Sequence, residues 1–245
     1  MDKSIQLQNF LLEHIENLEH DGGGGGITNL PDFELYAYDY LEFAEKRINT
    51  VDSETDTDEL INCVAHLKRA VDCQLDTFFY SCNLYKTVTK KNLKFETKLE
   101  FLKGIGVFSS RSLARLNTLR NKMEHQYEIP KIDDIELYFD LVSAFVTVLQ
   151  GLIYVLTFNR EVNFNVYVEE TDEFGSFTTE YNDQIPEIKV TWKLGVNAEE
   201  FSITANVDER EDFEYFFKIH LLLIQLEAFA TWKHIRNRIT ITNRN

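Results

Sequence analysis

Apolar residues recur at helical spacing over most of the first 160 positions. Leu7, Leu11, Ile15 and Leu18 fall on one stripe and predict a short amphipathic helix over 4–19. "DGGGGG" at 21–26 breaks that stripe and predicts a flexible connection. No Gly-Lys-Ser/Thr follows these glycines, which excludes a phosphate-cradling loop. "FELYAYDYLEFAEKRI" (33–48) reads as an aromatic-rich helix. The acids of "DSETDTDE" (52–59) suit the start of the next, over 57–83, because carboxylates cap free N–H groups and complement the helix dipole. "KFETKLEFLKGIG" is a further helix closed by Gly104 and Gly106. Ser109 and Ser110 can cap another, which runs to about Tyr127 and stops ahead of Pro130. "IDDIELYFDLVSAFVTVLQGLIYVLTFN" (132–159) is a last long helix of this series.

The period changes after Asn163. "NFNVYVEE", "SFTTEYN", "EIKVTWKL" and "EFSITANV" alternate and are rich in β-branched and aromatic residues, as a small antiparallel sheet requires. The run over 208–235 returns to helix, with acids at its start. Long helices joined by short loops pack most readily as an antiparallel bundle. The expected fold is therefore mainly α, an antiparallel helical bundle with a small C-terminal antiparallel β segment and a final helix, α+β overall. Its expected parts are an N-terminal amphipathic helix and Gly-rich linker (1–32), the bundle (33–160), and a sheet plus C-terminal helix packing on the bundle (161–245).

Residues 141–158 carry no charge, so a transmembrane span has to be weighed. Ser143, Thr147, Gln150 and Thr157 dilute the apolar signal, and a helix that is apolar all round can also be buried between two layers. The C-terminal layer is expected to cover it, so no membrane association is anticipated. Three prolines in 245 residues agree with long elements. Three widely spaced cysteines (Cys63, Cys73, Cys82) show neither zinc-like pairing nor a disulfide framework and point to a reducing, cytoplasmic setting. The N-terminus is amphipathic and acidic, unlike a signal peptide.

A net charge of −16 argues against an indiscriminate nucleic-acid binder. The charge is uneven, however: residues 60–131 hold 13 Lys/Arg against 6 Asp/Glu. A basic island in an acidic chain fits a local anion site, or it balances acidic neighbours; both readings stand at this point.

The island contains "LRNKMEHQY" (119–127). On a helical wheel Leu116, Met123 and Tyr127 fall within about 60° of Arg120, so Arg120 lies on or beside an apolar stripe, costly for a guanidinium without a partner. Asn121, His125 and Glu128 share a neighbouring face at about 80–140°. Arg120 and His125 thus diverge on one helix, and two copies around a symmetry axis would pool them in one cleft. The plainer alternative is an Arg120–Glu124 surface pair, a surface His125 and a core Tyr127.

With those flanks the stretch resembles the signature of the HEPN superfamily, Arg-x4–6-His with a polar residue after the arginine. It is similar also to the Arg-x4-His-x-Tyr form of HEPN toxins that are paired with a nucleotidyltransferase. The resemblance covers about 33–159. It implies a HEPN-like bundle and a metal-independent endoribonuclease acting as a homodimer, without cofactor or metal, in prokaryotic toxin–antitoxin or phage defence. Arg120 and His125 would be catalytic. Asn121, Lys122 and Tyr127 would support them and position the RNA, and Tyr127 would accept an adenylyl group from a nucleotidyltransferase antitoxin. A non-catalytic HEPN-like module that binds a nucleotide or a protein is the alternative. Other chemistry has little to stand on. His14 and His20 lack companion ligands, His66 reads as a packed or interfacial histidine, and neither His-Glu-x-x-His nor Gly-x-Ser-x-Gly occurs.

Overall fold

The computed structural model describes residues 2–50, 57–86, 94–108, 132–182 and 184–240, together with 111, 115, 118, 121 and 122. They fall into two compact units, Met1–Ile27 with Leu156–Asn245, and Thr28–Val155.

The first unit is built on a sheet. Helix α1 (Lys3–His14) starts where the Asp2 carboxylate accepts from the N–H groups of Ser4 and Ile5, and a short 3-10 turn (Ile15–Asn17) leads into β1 (Leu18–Gly24). The remaining strands are β2 (Glu161–Val168), β3 (Glu173–Asn182), β4 (Glu187–Lys193) and β5 (Phe201–Asn206), antiparallel in the order β1-β2-β3-β4-β5. Alternation decides the faces. Val162, Phe164, Val166, Phe177, Tyr181, Ile188, Val190 and Ala205 are buried on one side. The other side carries Asn163, Thr178, Lys189 and their like. Two helices cover the apolar side: α1, whose Phe10 ring lies 5.1 Å from Phe177 and 5.0 Å from Trp192, and α6 (Arg210–Leu223), whose Phe217 meets Tyr181 at 5.2 Å. Helix α7 (Trp232–Ile239) is tied on by the Tyr215 hydroxyl, which donates to Ile239 O at 2.9 Å.

The second unit is helical: α2 (Ala37–Ile48), α3 (Thr57–Ser81), α4 (Phe95–Gly104) and most of α5 (Ile132–Phe158). Helices α2 and α3 pack along Leu41, Ala44, Leu60, Cys63, Val64 and Leu67, with the Arg47–Glu59 pair (2.9 Å) at one end. Lys98–Asp76 (2.6 Å) and the Phe79–Phe101 rings join α3 to α4. The Tyr38 and Thr147 hydroxyls, 3.4 Å apart, join α2 to α5.

This architecture corrects the expected mainly-α bundle with a small C-terminal β segment. The sheet has five strands and its first comes from the N-terminus, so the fold is mixed, a sheet-centred unit with the sequence of a helical unit inserted between its first and second strands. Three of the five glycines expected to form a flexible connection, Gly22, Gly23 and Gly24, instead complete β1: Gly23 pairs with Val162 and Gly24 with Glu161. A Cβ on Gly23 would sit 2.3 Å from Glu161 O, so glycine is what allows the close approach. "LEHDGGG" lacks the alternating β-branched signal, which hides it from pattern reading. The single helix expected over 208–235 is two, because the chain turns with Glu227 at φ 66° and Thr231 caps α7 at His234 N–H. The long helix at 132–158 is not enclosed on every side. By length and composition its span Asp134–Phe158 suffices to cross a membrane, with 33% of the apolar window buried. Ile135, Tyr138, Val142, Phe145, Val146 and Leu149 form the buried face, whereas Leu137, Val148 and Tyr154 are exposed.

Candidate functional site

Arg120, His125 and Tyr127 lie outside the described residues. Asn121 and Lys122 are helical, Asn121 half-buried and Lys122 exposed. Phe108, just ahead of this segment in the chain, stacks on Phe145 of α5 with ring centroids 4.9 Å apart and planes at 21°. This ring contact ties Phe108 itself to α5.

Within the helical unit, His66 packs edge-on against Phe43 (5.5 Å) and beside Tyr40 (6.5 Å). Burial, then the Arg69 and Arg47 guanidinium groups, hold its pKa below the ordinary imidazole value. It is a packed histidine. A shallow groove of about 500 Å³ nearby is lined by Asp32, Glu34, Tyr40, Arg69, Asp72 and Cys73 among others. Its carboxylates outnumber its one guanidinium, which suits a polyanion poorly. The Cys73 thiol donates toward Leu35 O and is pushed up to about 11, chiefly by burial, while that of buried Cys63 is pushed up to about 12. Neither is a ready nucleophile. Among the described residues no group of three or more His, Cys, Asp or Glu could hold a metal ion.

The sheet unit contains a polar cluster that pattern reading missed. His220 of α6 is fully buried. Its Nε2 lies 2.8 Å from Asn159 O, which can only accept, so Nε2 carries the proton. Nδ1 then accepts from the Thr179 hydroxyl of β3 at 3.1 Å. Burial lowers its pKa to about 4, with the neighbouring Arg160 pushing the same way and the Asn159 bond opposing. The Arg160 guanidinium lies 5.2 Å over the Tyr181 ring. A neutral histidine at physiological pH, closed to solvent, joins three elements rather than reacting. Its signal in the sequence is the setting "FFKIHLLL", an imidazole in a run that is apolar apart from Lys218. A second hollow in this unit, of about 540 Å³, is lined by Leu18, Glu227, Phe229, Trp232 and Lys233 among others, with Lys233 Nζ 5.2 Å over Trp232.

No family model, no curated protein and no solved structure matches this chain.

Proposed function

We propose that the chain is a metal-independent endoribonuclease that cuts RNA to 2′,3′-cyclic phosphate and 5′-hydroxyl ends. The observation that carries this reading is "RNKMEHQY" (120–127), which combines the arginine, its following asparagine, the histidine and the tyrosine of the HEPN signature in one short run. The helical state of Asn121 and Lys122 and the basic island around them are compatible with it.

The chemistry needs no water and no metal. A base removes the proton of the ribose 2′-hydroxyl, its oxygen attacks the adjacent phosphorus, and the bond to the 5′-oxygen breaks as that oxygen takes up a proton. His125 suits the base or the acid role because an unperturbed imidazole titrates near 6.5. Arg120 suits the phosphate, because its planar fork donates two hydrogen bonds to the charge that builds on the phosphorane-like transition state. Asn121 and Lys122 hold the phosphodiester, and Tyr127 orients the histidine. Divergence of Arg120 and His125 on one helix favours a homodimer that pools them. Under the same reading the protein is cytoplasmic, serves toxin–antitoxin or antiviral defence, and is silenced by a nucleotidyltransferase antitoxin that adenylylates Tyr127.

The test is cleavage of single-stranded RNA in EDTA, with end-group analysis of the products. Wild type should cut, and His125→Ala should lose cutting while keeping its circular dichroism and unfolding midpoint. Equal cutting by both sinks the assignment. The net charge of −16 favours one alternative, a non-catalytic module that binds a nucleotide or a protein; RNA or nucleotide binding without cleavage would select it.

A further inference from the structure

The two edges of the sheet differ. Natural edge strands are blunted by charges, prolines or bulges so that stray chains do not pair with them. The β1 edge is blunted in this way, with Glu19 and Asp21 exposed and an irregular register between His20 and Gly23. The β5 edge is not. "FSITAN" (201–206) contains no charge, no proline and no glycine, and its pairing with β4 is regular from Trp192↔Phe201 to Glu187↔Asn206.

The backbone bonds at the end of β5 tell which groups face outward. Val207 N–H donates to Pro186 O at 3.1 Å, on the β4 side. Asn206 turns the other way: its N–H donates to Glu209 Oε2 at 3.1 Å, and its carbonyl accepts from Glu209 N–H at 2.8 Å. Antiparallel ladders alternate, so Phe201, Ile203 and Ala205 bond to β4 while Ser202 and Thr204 present their N–H and C=O groups at the open edge. Ser202 is exposed and Thr204 half-buried. The apolar face of the sheet also runs out here. Phe201 is 54% exposed although its ring stacks on Trp192 at 6.0 Å, and Ile203 is only half-buried.

The flanks choose the occupant. Exposed Glu199 and Glu200 precede the strand, and exposed Asp208 and Glu209 follow it. An antiparallel second copy paired through Ser202 and Thr204 would bring Glu199 and Glu200 of one chain toward Asp208 of the other, at both ends by symmetry, while Glu209 is already neutralised by Lys3 at 2.6 Å. Like charges across a ladder oppose pairing. A strand with basic residues at both ends meets attraction at those same places.

We propose that the outer edge of β5 receives an extended segment of a partner protein, apolar at alternate positions and flanked by lysine or arginine, as a sixth strand. Its backbone pairs with Ser202 and Thr204, its alternate side chains cover Phe201 and Ile203, and its basic flanks meet Glu199, Glu200 and Asp208. This inference is independent of the ribonuclease reading and concerns the other unit.

The test uses the full chain and two synthetic peptides with the same core of alternating valine and threonine, one with paired lysines at each end and one with paired glutamates. The lysine-flanked peptide should bind, measured by fluorescence anisotropy at low salt, at least about tenfold tighter than the other. Its binding should slow amide exchange at Ser202 and Thr204. Thr204→Pro, which removes an outward N–H and no ladder bond, should weaken binding about tenfold or more. Glu199→Lys with Glu200→Lys, at exposed positions that leave the fold alone, should erase the preference between the peptides. Equal binding of both peptides, or protection away from β5, overturns the proposal. So does a dimer of the unmodified chain that Thr204→Pro dissolves, since the occupant would then be a second copy.

Discussion

Acidification should strike the sheet unit through one side chain. His220 is neutral in the folded protein, with Nε2 donating to Asn159 O and Nδ1 accepting from Thr179, and burial holds its pKa at about 4. In the unfolded chain an imidazole titrates near 6.5. The folded value is the lower one, so the unfolded state binds the proton first and stability falls as pH drops below 6.5. The loss levels off below the folded value, where both states are protonated, at roughly 3 kcal/mol. At pH 4.5 about 2 to 3 kcal/mol should already be gone, against a typical total of about 5–15 kcal/mol. A protonated His220 also loses the Nδ1 lone pair that accepts from Thr179 and carries its charge beside Arg160.

The assay can be confined to this unit, because both tryptophans of the chain, Trp192 and Trp232, belong to it. Urea unfolding followed by tryptophan emission at pH 8 and pH 4.5 gives the pH loss for wild type and for His220→Gln. Glutamine keeps a donor and an acceptor but does not titrate. Carboxylates contribute equally to both proteins and cancel. The wild type should lose roughly 2 to 3 kcal/mol more than His220→Gln over this interval. Identical losses would refute the buried neutral imidazole, and a greater loss in the variant would reverse the sign of the reasoning.

Gly175→Ala should destabilise the same unit by about 1–3 kcal/mol, because a Cβ there would lie 2.0 Å from Lys193 O and the β3–β4 ladder would have to yield; tryptophan-detected unfolding measures it, and an unchanged midpoint contradicts the contact. The Cys63 thiol, pushed up to about 12 by burial, should resist iodoacetamide at pH 8 in the native protein and react after urea unfolding, as mass spectrometry of the labelled peptide will show; prompt native labelling would place Cys63 at the surface.

Strong periodicity made much of the fold readable. The strands after Asn163 alternate because one face meets Phe10 and Phe217 and the other meets water, and α3 follows the acids Asp58 and Glu59 with an unbroken stripe of Leu60, Cys63, Val64 and Leu67. Elements specified by non-local partners were silent. Leu18–Gly24 becomes a strand because β2 lies beside it, not through any propensity of its own. The break between α6 and α7 depends on Glu227 tolerating a left-handed turn and on the Thr231 cap, which a periodic apolar run conceals. As for the site, "RNKMEHQY" advertises chemistry locally, whereas the His220 cluster needs Asn159, Thr179 and Arg160 from distant positions and no spacing announces it.

Chain connectivity makes a last demand. The sheet unit takes one strand from before the helical unit and four from after it, so β1–β2 pairing is what closes the chain around that insertion. The N-terminal segment is thus part of a core rather than an arm. Leu7, Leu11 and Ile15 are wholly buried, and Phe10 fills the space between Phe177 and Trp192. Burying each such side chain contributes about 1.5–3 kcal/mol, so deleting residues 1–24 removes roughly as much as the whole stability of a typical domain. It also uncovers the edge of β2, leaving Val162, Phe164 and Val166 beside unpaired backbone. The truncated protein should lose cooperative tryptophan-detected unfolding, shift its emission to the red and aggregate. The α2–α3 packing, all within Thr28–Val155, contains none of the deleted residues, so helical circular dichroism should survive in part. A truncated chain that unfolds cooperatively with native tryptophan emission would show that α1 and β1 are dispensable, and the five-stranded sheet would no longer be the unit that folds.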